Sequence, residues 1–292
     1  MKKNIFYPIA EPDLTNLERE ALIDAFDSGW ISSIGKYINE FENNFAKFCD
    51  CKYAIAVSNG TSALHLGLIS LGIGKGDEVI IPSLTFVATA SAVIHCGATP
   101  VFVDSEPLFG TICPLSIEKA VTKKTKAIIA VHLYGHPAEM DTINDIAKKN
   151  SLFVIEDAAE AHGAKYNDRL VGGIGDIGAF SFYGNKIITT GEGGMITTND
   201  KKVCDKVKFL RDHAMDQNRR YWHTEVGYNY RITNLQAAIG VAQLSRIQEI
   251  INKKIGLLEY YKEKISSNFK FNPEKKHVKS VPWLISAIIP DS

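Results

Sequence analysis

Short runs of valine, isoleucine and alanine alternate with stretches of helical period along the first two thirds of the chain. YAIAV (53–57) is followed by TSALHLGLISLG, and DEVIIP (77–82) by TFVATASAVIHC. TPVFVD (99–104) comes next, then KAIIAVHLYG (126–135) ahead of DTINDIAKKN, and LFVIED (152–157) closes the series. Apolar runs of strand length separated by helical patterns predict a mainly parallel sheet covered by helices. The runs do not alternate with polar residues, so they read as strands buried on both faces. From 178 the pattern changes to GAFSFYGNK and GGMITTND, two adjacent strand-like pieces around a Gly-rich bend. The expected sheet is therefore mixed, mostly parallel and flanked by helices, an α/β fold. Residues 232–265 then form one long helical pattern, with Thr233 and Asn234 as N-caps. This predicts a large domain over 1–232, and over 233–292 a long helix with the start of a small C-terminal domain. WLISAII (283–289) reads as a strand. A second domain with one evident strand reads as incomplete, that is, as truncated.

Charge and cysteine usage narrow the function classes. The 292 residues suit about two domains. With 33 basic and 33 acidic residues the formal charge is zero, so nothing draws the chain as a whole to nucleic acid or an anionic membrane. An anionic ligand has to be held by a local site. The five cysteines are odd in number and form no C-x-x-C pair, which argues against a zinc site or a disulfide framework and suits a reducing cytoplasm. The start, MKKNIFYPIAEPD, has no apolar stretch of signal-peptide length, and no run approaches the ~18 residues that span a bilayer.

In open α/β sheets ligands gather at the carboxyl ends of strands. After YAIAV comes Ser58-Asn59-Gly60-Thr61-Ser62 and then a helix, which reads either as a phosphate site at a helix N-terminus or as a capped helix start without ligand. Glu156 and Asp157 end LFVIED; a carboxylate there suits a metal, acid/base work, a cationic ring nitrogen or a simple cap. Lys186, in FSFYGNKIITTGEGG, is either a nucleophilic amine activated by burial or a solvated surface lysine. Gly173-x-Gly175-x-x-Gly178 matches the dinucleotide pattern in letters but follows polar sequence and precedes a strand-like run, so it reads as a turn. Gly74-Lys75-Gly76 lacks the Ser or Thr of a phosphate-binding loop.

SNGTSALHLGL, GDEVIIPSLTFVATASAV, VIEDAAEAHGA, GAFSFYGNKIITTGEGGM and VGYNYRITNLQAAIG together resemble the sugar-nucleotide aminotransferases, pyridoxal phosphate (PLP) enzymes of the aspartate aminotransferase fold (fold type I). The five blocks stand in the family's order and spacing. The resemblance implies that Lys186 carries the cofactor and moves the proton, that Asp157 pairs with the ring nitrogen, and that Phe86 stacks on the ring. It implies phosphate contacts from Gly60, Thr61 and Ser181, a place for Glu160 near the phenolic oxygen, and Asn229 reaching the phosphate of a neighbouring subunit in a homodimer with a shared active site. L-glutamate is the implied amino donor and a nucleotide-linked keto sugar the acceptor. The run NRRYWHTEVGYNYRITNLQAAIGVAQL looks most like the branch that aminates GDP-4-keto-6-deoxymannose for O-antigen synthesis. Trp30, Ser32, Tyr37 and Arg219-Arg220 are candidates for the sugar or its diphosphate, or else a surface loop. In the family's dehydratase branch histidine replaces the cofactor lysine; lysine at 186 favours amine transfer. Three alternatives stay open: another keto sugar nucleotide, a PLP-binding protein without turnover, and a nucleotide-dependent oxidoreductase, the last weakened because SNGTS is not its glycine fingerprint.

Overall fold

The computed structural model describes residues 8–216, 218–265 and 268–289. Nine strands are formed in the first part of the chain: β1 (Tyr53–Val57), β2 (Glu78–Pro82), β3 (Thr99–Val103), β4 (Thr125–Val131), β5 (Phe153–Asp157), β6 (Lys165–Tyr166), β7 (Arg169–Leu170), β8 (Ile177–Ser181) and β9 (Gly194–Thr198). Seven of them make one sheet in the order β1-β9-β8-β5-β4-β2-β3. β9 runs antiparallel to both its neighbours, while the pairs β2/β3, β2/β4, β4/β5 and β5/β8 are parallel. The mixed, mostly parallel sheet expected from the pattern is what forms. β3 departs most from burial on both faces: it is an edge of the sheet, and Phe102 on it is exposed.

Seven helices accompany these strands: α1 (Asn16–Asp27), α2 (Lys36–Phe48), α3 (Gly60–Ser70), α4 (Val87–His95), α5 (Pro114–Ala120), α6 (Met140–Asn150) and α7 (Lys201–Arg211). Residues 62–68 of α3 are buried without interruption, as befits a helix apolar all round. It shares a cluster with Ile55, Val57, Ile177, Ile196 and Val207. On α2, Ile38, Phe41 and Phe45 recur at helical spacing and form a second cluster with Phe180, Phe182 and Ile188.

The long helical pattern from 232 resolves into two helices, α8 (Asn234–Ser245) and α9 (Ile247–Lys264), broken at Arg246 (φ −104°, ψ 3°). Thr233 caps α8 through a capping box with Gln236, as the sequence suggests. The break has a tertiary cause. Arg246 is drawn onto Glu18 (3.1 Å) and Asp13 (3.0 Å), and Gln243 donates to the same Glu18 carboxylate at 2.9 Å. Burial tends to raise the Glu18 carboxyl, yet hydrogen bonds from Thr15 and Gln243 outweigh it and pull the group down to about 2. This contribution to stability is full above the ordinary glutamate range and is lost as pH falls toward 2.

Three short strands follow: β10 (Lys270–Phe271), β11 (Val278–Lys279) and β12 (Ala287–Ile288). β10 pairs with β12, and β11 extends the β6/β7 hairpin. Only Ala287–Ile288 of WLISAII is strand. Residues 283–286 are held instead by side chains: the Trp283 indole donates to Asn185 O at 2.7 Å, Asn272 Nδ2 donates to Leu284 O at 3.0 Å, and Ser286 N–H donates to Asn272 Oδ1 at 2.9 Å.

Gly173 and Gly175 lie in the turn between β7 and β8, which Glu156 organises, whereas Gly178, read from sequence as part of the same turn, is a residue of β8 paired with Glu156 and Thr197. The Glu156 carboxylate, fully buried, accepts from Gly172 N–H (2.8 Å), Ile174 N–H (2.7 Å) and Gly175 N–H (2.7 Å). His132 Nδ1 accepts from Ala138 N–H, so its proton lies on Nε2, which donates to Glu156 at 3.0 Å. Glu156→Gln turns an amide NH2 toward backbone donors and strands them; the variant is expected to lose about 3 kcal/mol of stability in denaturant unfolding.

Candidate active site

The strand register assembles the site. Gly194 of β9 pairs with Val57 on one side and Ser181 on the other, which brings the carboxyl end of β1 beside that of β8. Only glycine fits at 194, because a Cβ there would stand 2.4 Å from Asn59 O. Asn59 caps α3 by accepting from Ser62 N–H at 2.8 Å. The N–H groups of Gly60 and Thr61 take part in no hydrogen bond among the described residues. A Cβ at Gly60 would lie 2.8 Å from Ser181 Cβ, so two free helix N–H groups and a serine hydroxyl stand side by side, a cradle that could hold a phosphate dianion.

Asp157 ends β5, two strands from β9. Thr89 Oγ1 donates to its Oδ2 at 2.9 Å and Ala159 N–H to its Oδ1 at 3.3 Å. Burial raises the Asp157 carboxyl above the usual aspartate range despite these bonds. Among the described residues no cation forms an ion pair with it; a protonated ring nitrogen placed against it would favour the charged form.

Lys186 lies in the segment joining β8 to β9, its N–H donating to Tyr183 O at 2.9 Å. Its Nζ stands 3.8 Å from Glu160 Oε1 and 3.7 Å from the centroid of the Trp283 ring. Burial lowers the amine's pKa while Glu160 and Asp157 raise it, an arrangement that keeps a neutral, nucleophilic amine within reach. Glu160 is fixed on its other oxygen by Tyr134 N–H at 2.8 Å, and burial pushes its carboxyl up. Phe86 precedes α4 in extended backbone (φ −69°, ψ 145°) and is 71% exposed, an aromatic face left open.

Gly60, Thr61 and Ser181 thus come together in one cradle, and Asp157, Glu160 and Lys186 in one buried group of charges. Asn229 does not join them within this chain: it is exposed on the segment after α7, with Arg231 donating to its Oδ1 at 3.0 Å. That segment does run past the cradle, since Ser58 N–H donates to Tyr230 O at 2.8 Å. The 30–37 loop is tied to α8: Asn234 donates through its N–H to Ser32 O (2.6 Å) and through Nδ2 to Trp30 O (2.7 Å), and accepts from Tyr37 N–H (3.0 Å). Arg219 and Arg220 lie over the exposed rings of Trp222 and Tyr221. Thr89, Tyr134, Asn234 and Trp283 were not expected. Thr89 has a sequence signal, three residues after Phe86 on the helix that opens there; the others act through long-range contacts.

The donor set fits pyridoxal phosphate: a cradle for the phosphate, a buried carboxylate for the ring nitrogen, an open aromatic face for the ring and a buried amine for the aldehyde. Among the described residues no group of side chains suits a metal ion, and no helix is long and apolar enough to cross a membrane. The profile of the DegT/DnrJ/EryC1/StrS aminotransferase family matches residues 12–291. GDP-perosamine synthase of Escherichia coli O157:H7 is 48% identical over 97% of this chain and 78% of its own length. The GDP-perosamine synthase of Caulobacter vibrioides is 52% identical over 88% of this chain and 70% of its own. The solved structure of the aminotransferase from Psychrobacter cryohalolentis superposes with a TM-score of 0.88 at 38% identity, over 96% of this chain and 76% of that one. The chain belongs to the DegT/DnrJ/EryC1/StrS aminotransferase family and is a PLP-dependent transaminase.

Proposed function

We propose that this transaminase moves the amino group of L-glutamate onto a nucleotide-linked 4-keto-6-deoxy sugar, converting GDP-4-keto-6-deoxymannose to GDP-perosamine for surface polysaccharide in the cytoplasm. The observation that carries the choice of sugar is the 48% and 52% identity to two GDP-perosamine synthases across most of the chain. Bound pyridoxal phosphate supplies an aldehyde to take up the amine and a cationic ring to accept electrons. Lys186 would hold the aldehyde through its Nζ and would move a proton at the same atom. Asp157 would keep the ring nitrogen protonated, Phe86 would cover one ring face, Glu160 would face the phenolic oxygen, and Gly60, Thr61 and Ser181 would hold the phosphate. Amine donor and acceptor then use the same amine carrier in turn, which gives ping-pong kinetics.

The reading includes a homodimer, in which Asn229 of one subunit reaches the phosphate of the next; its exposure in the single chain supports this. It also divides the chain into a cofactor-binding domain over 1–232 and a smaller unit from 233. A panel of keto sugar nucleotides with glutamate tests the substrate: GDP-4-keto-6-deoxymannose is expected to be consumed fastest, and a clear preference for a dTDP or UDP sugar overturns the perosamine reading. A dTDP-linked 3-keto sugar is the second candidate, because a dTDP-3-amino-3,6-dideoxy-alpha-D-galactopyranose transaminase of Aneurinibacillus thermoaerophilus is 41% identical over 91% of this chain.

A further inference from the structure

Trp283 lies outside the paired strands and packs, partly buried, against the cluster of Phe41, Phe45, Phe180 and Phe182. Its indole N–H donates to the carbonyl of Asn185, the residue before Lys186, at 2.7 Å. Its own carbonyl accepts from Lys254 of α9 at 3.0 Å. The ring stacks near Tyr134 (centroids 6.4 Å, planes 19° apart), whose N–H holds Glu160. Trp283 is thus anchored through its indole N–H and its backbone carbonyl independently of the Lys186 side chain, and the Lys186 Nζ rests 3.7 Å from the ring centroid. An ammonium within about 6 Å of an indole face is attracted by the ring quadrupole, most strongly where water is excluded, and the Lys186 side chain is only 12% exposed.

We propose that Trp283 is a positioning residue for Lys186: its indole face holds the ammonium beside Glu160 whenever the amine is not engaged with the cofactor. The inference rests on Lys186 being the cofactor lysine. Four other groups bear on that ammonium. Glu160 and Asp157 favour it; buried His162 acts on it through space; and Lys254, the other cation at Trp283, is engaged with that residue's backbone carbonyl. Burial alone favours the neutral amine, and the indole opposes burial. The amine is kept near a defined seat, ready to take or give a proton without searching rotamers.

The test titrates Lys186 in the full chain freed of cofactor, by NMR of 13C-methylated lysines with Lys186→Met identifying the resonance. In Trp283→Leu the midpoint is expected to fall by about one pH unit relative to the native chain. In Trp283→Phe, which keeps an aromatic face, the fall is expected to be less than about half of that. Equal midpoints in all three proteins overturn the proposal. Should Trp283→Leu fail to fold, the chain carrying Trp30→Phe and Trp222→Phe leaves Trp283 as the sole indole of three. Its emission is expected to follow the Lys186 titration and to lose that dependence with Lys186→Met; emission indifferent to Lys186 overturns the proposal. A chain that forms no visible band with PLP would strike at the assignment of Lys186 itself, which the amine titration keeps separate.

Discussion

Lys186→Ala is expected to lower transamination by on the order of 10^4-fold or more, with the far-ultraviolet circular dichroism of the native chain retained. In the proposed function the side chain holds the cofactor and relays the proton, so its loss would remove two roles at once. Its surroundings survive truncation because they are anchored elsewhere: Glu160 to Tyr134 N–H and Trp283 to Asn185 O. Steady-state turnover with glutamate and a keto sugar nucleotide checks the loss. Activity within tenfold of the native chain would show that another group carries the proton.

Asp157→Asn is expected to lower turnover by about 10^2- to 10^3-fold, the scale of one preorganised electrostatic group at a reacting centre. Asparagine still accepts from Thr89 and Ala159 through its amide oxygen but cannot compensate a protonated ring. The same change is expected to leave the cofactor-free chain as stable as the native one or more so at neutral pH. Burial raises the native carboxyl's pKa, so stability falls as pH rises from the ordinary aspartate range to the folded-state value, and the full cost applies above that value. Below the ordinary aspartate range that cost disappears and the two chains converge. Thermal unfolding across pH checks the sign, and kinetics at saturating cofactor separate weakened electrostatics from weakened binding.

The contrast between Glu156 and Asp157 shows what the sequence makes legible. Two carboxylates end one strand, and residue type alone gives them the same list of roles. Successive strand residues point to opposite faces, so Glu156 enters the Gly172–Gly175 turn while Asp157 meets Thr89 on α4. Which face holds the site is decided by the sheet order, not by the strand. The β1 run and the Thr233 cap were readable because hydrophobic period and cap chemistry are local. The break at Arg246 was not, since its causes, Asp13 and Glu18, lie more than two hundred residues away in sequence. Trp283 misled for a similar reason: WLISAII has strand composition, but the indole finds its partner in Asn185 and the backbone is diverted. Asn234, read from sequence as a cap beside Thr233, is instead the first residue of α8, and its side chain holds Trp30 O and Tyr37 N–H, contacts about two hundred residues away that no local pattern announces.

The visible absorption spectrum of the protein with added PLP, recorded before and after glutamate and beside Lys186→Ala, tests the central claim most directly. A band that needs Lys186 and bleaches when glutamate delivers its amine is expected. A folded chain that forms no such band, or forms the same band without Lys186, would contradict that claim.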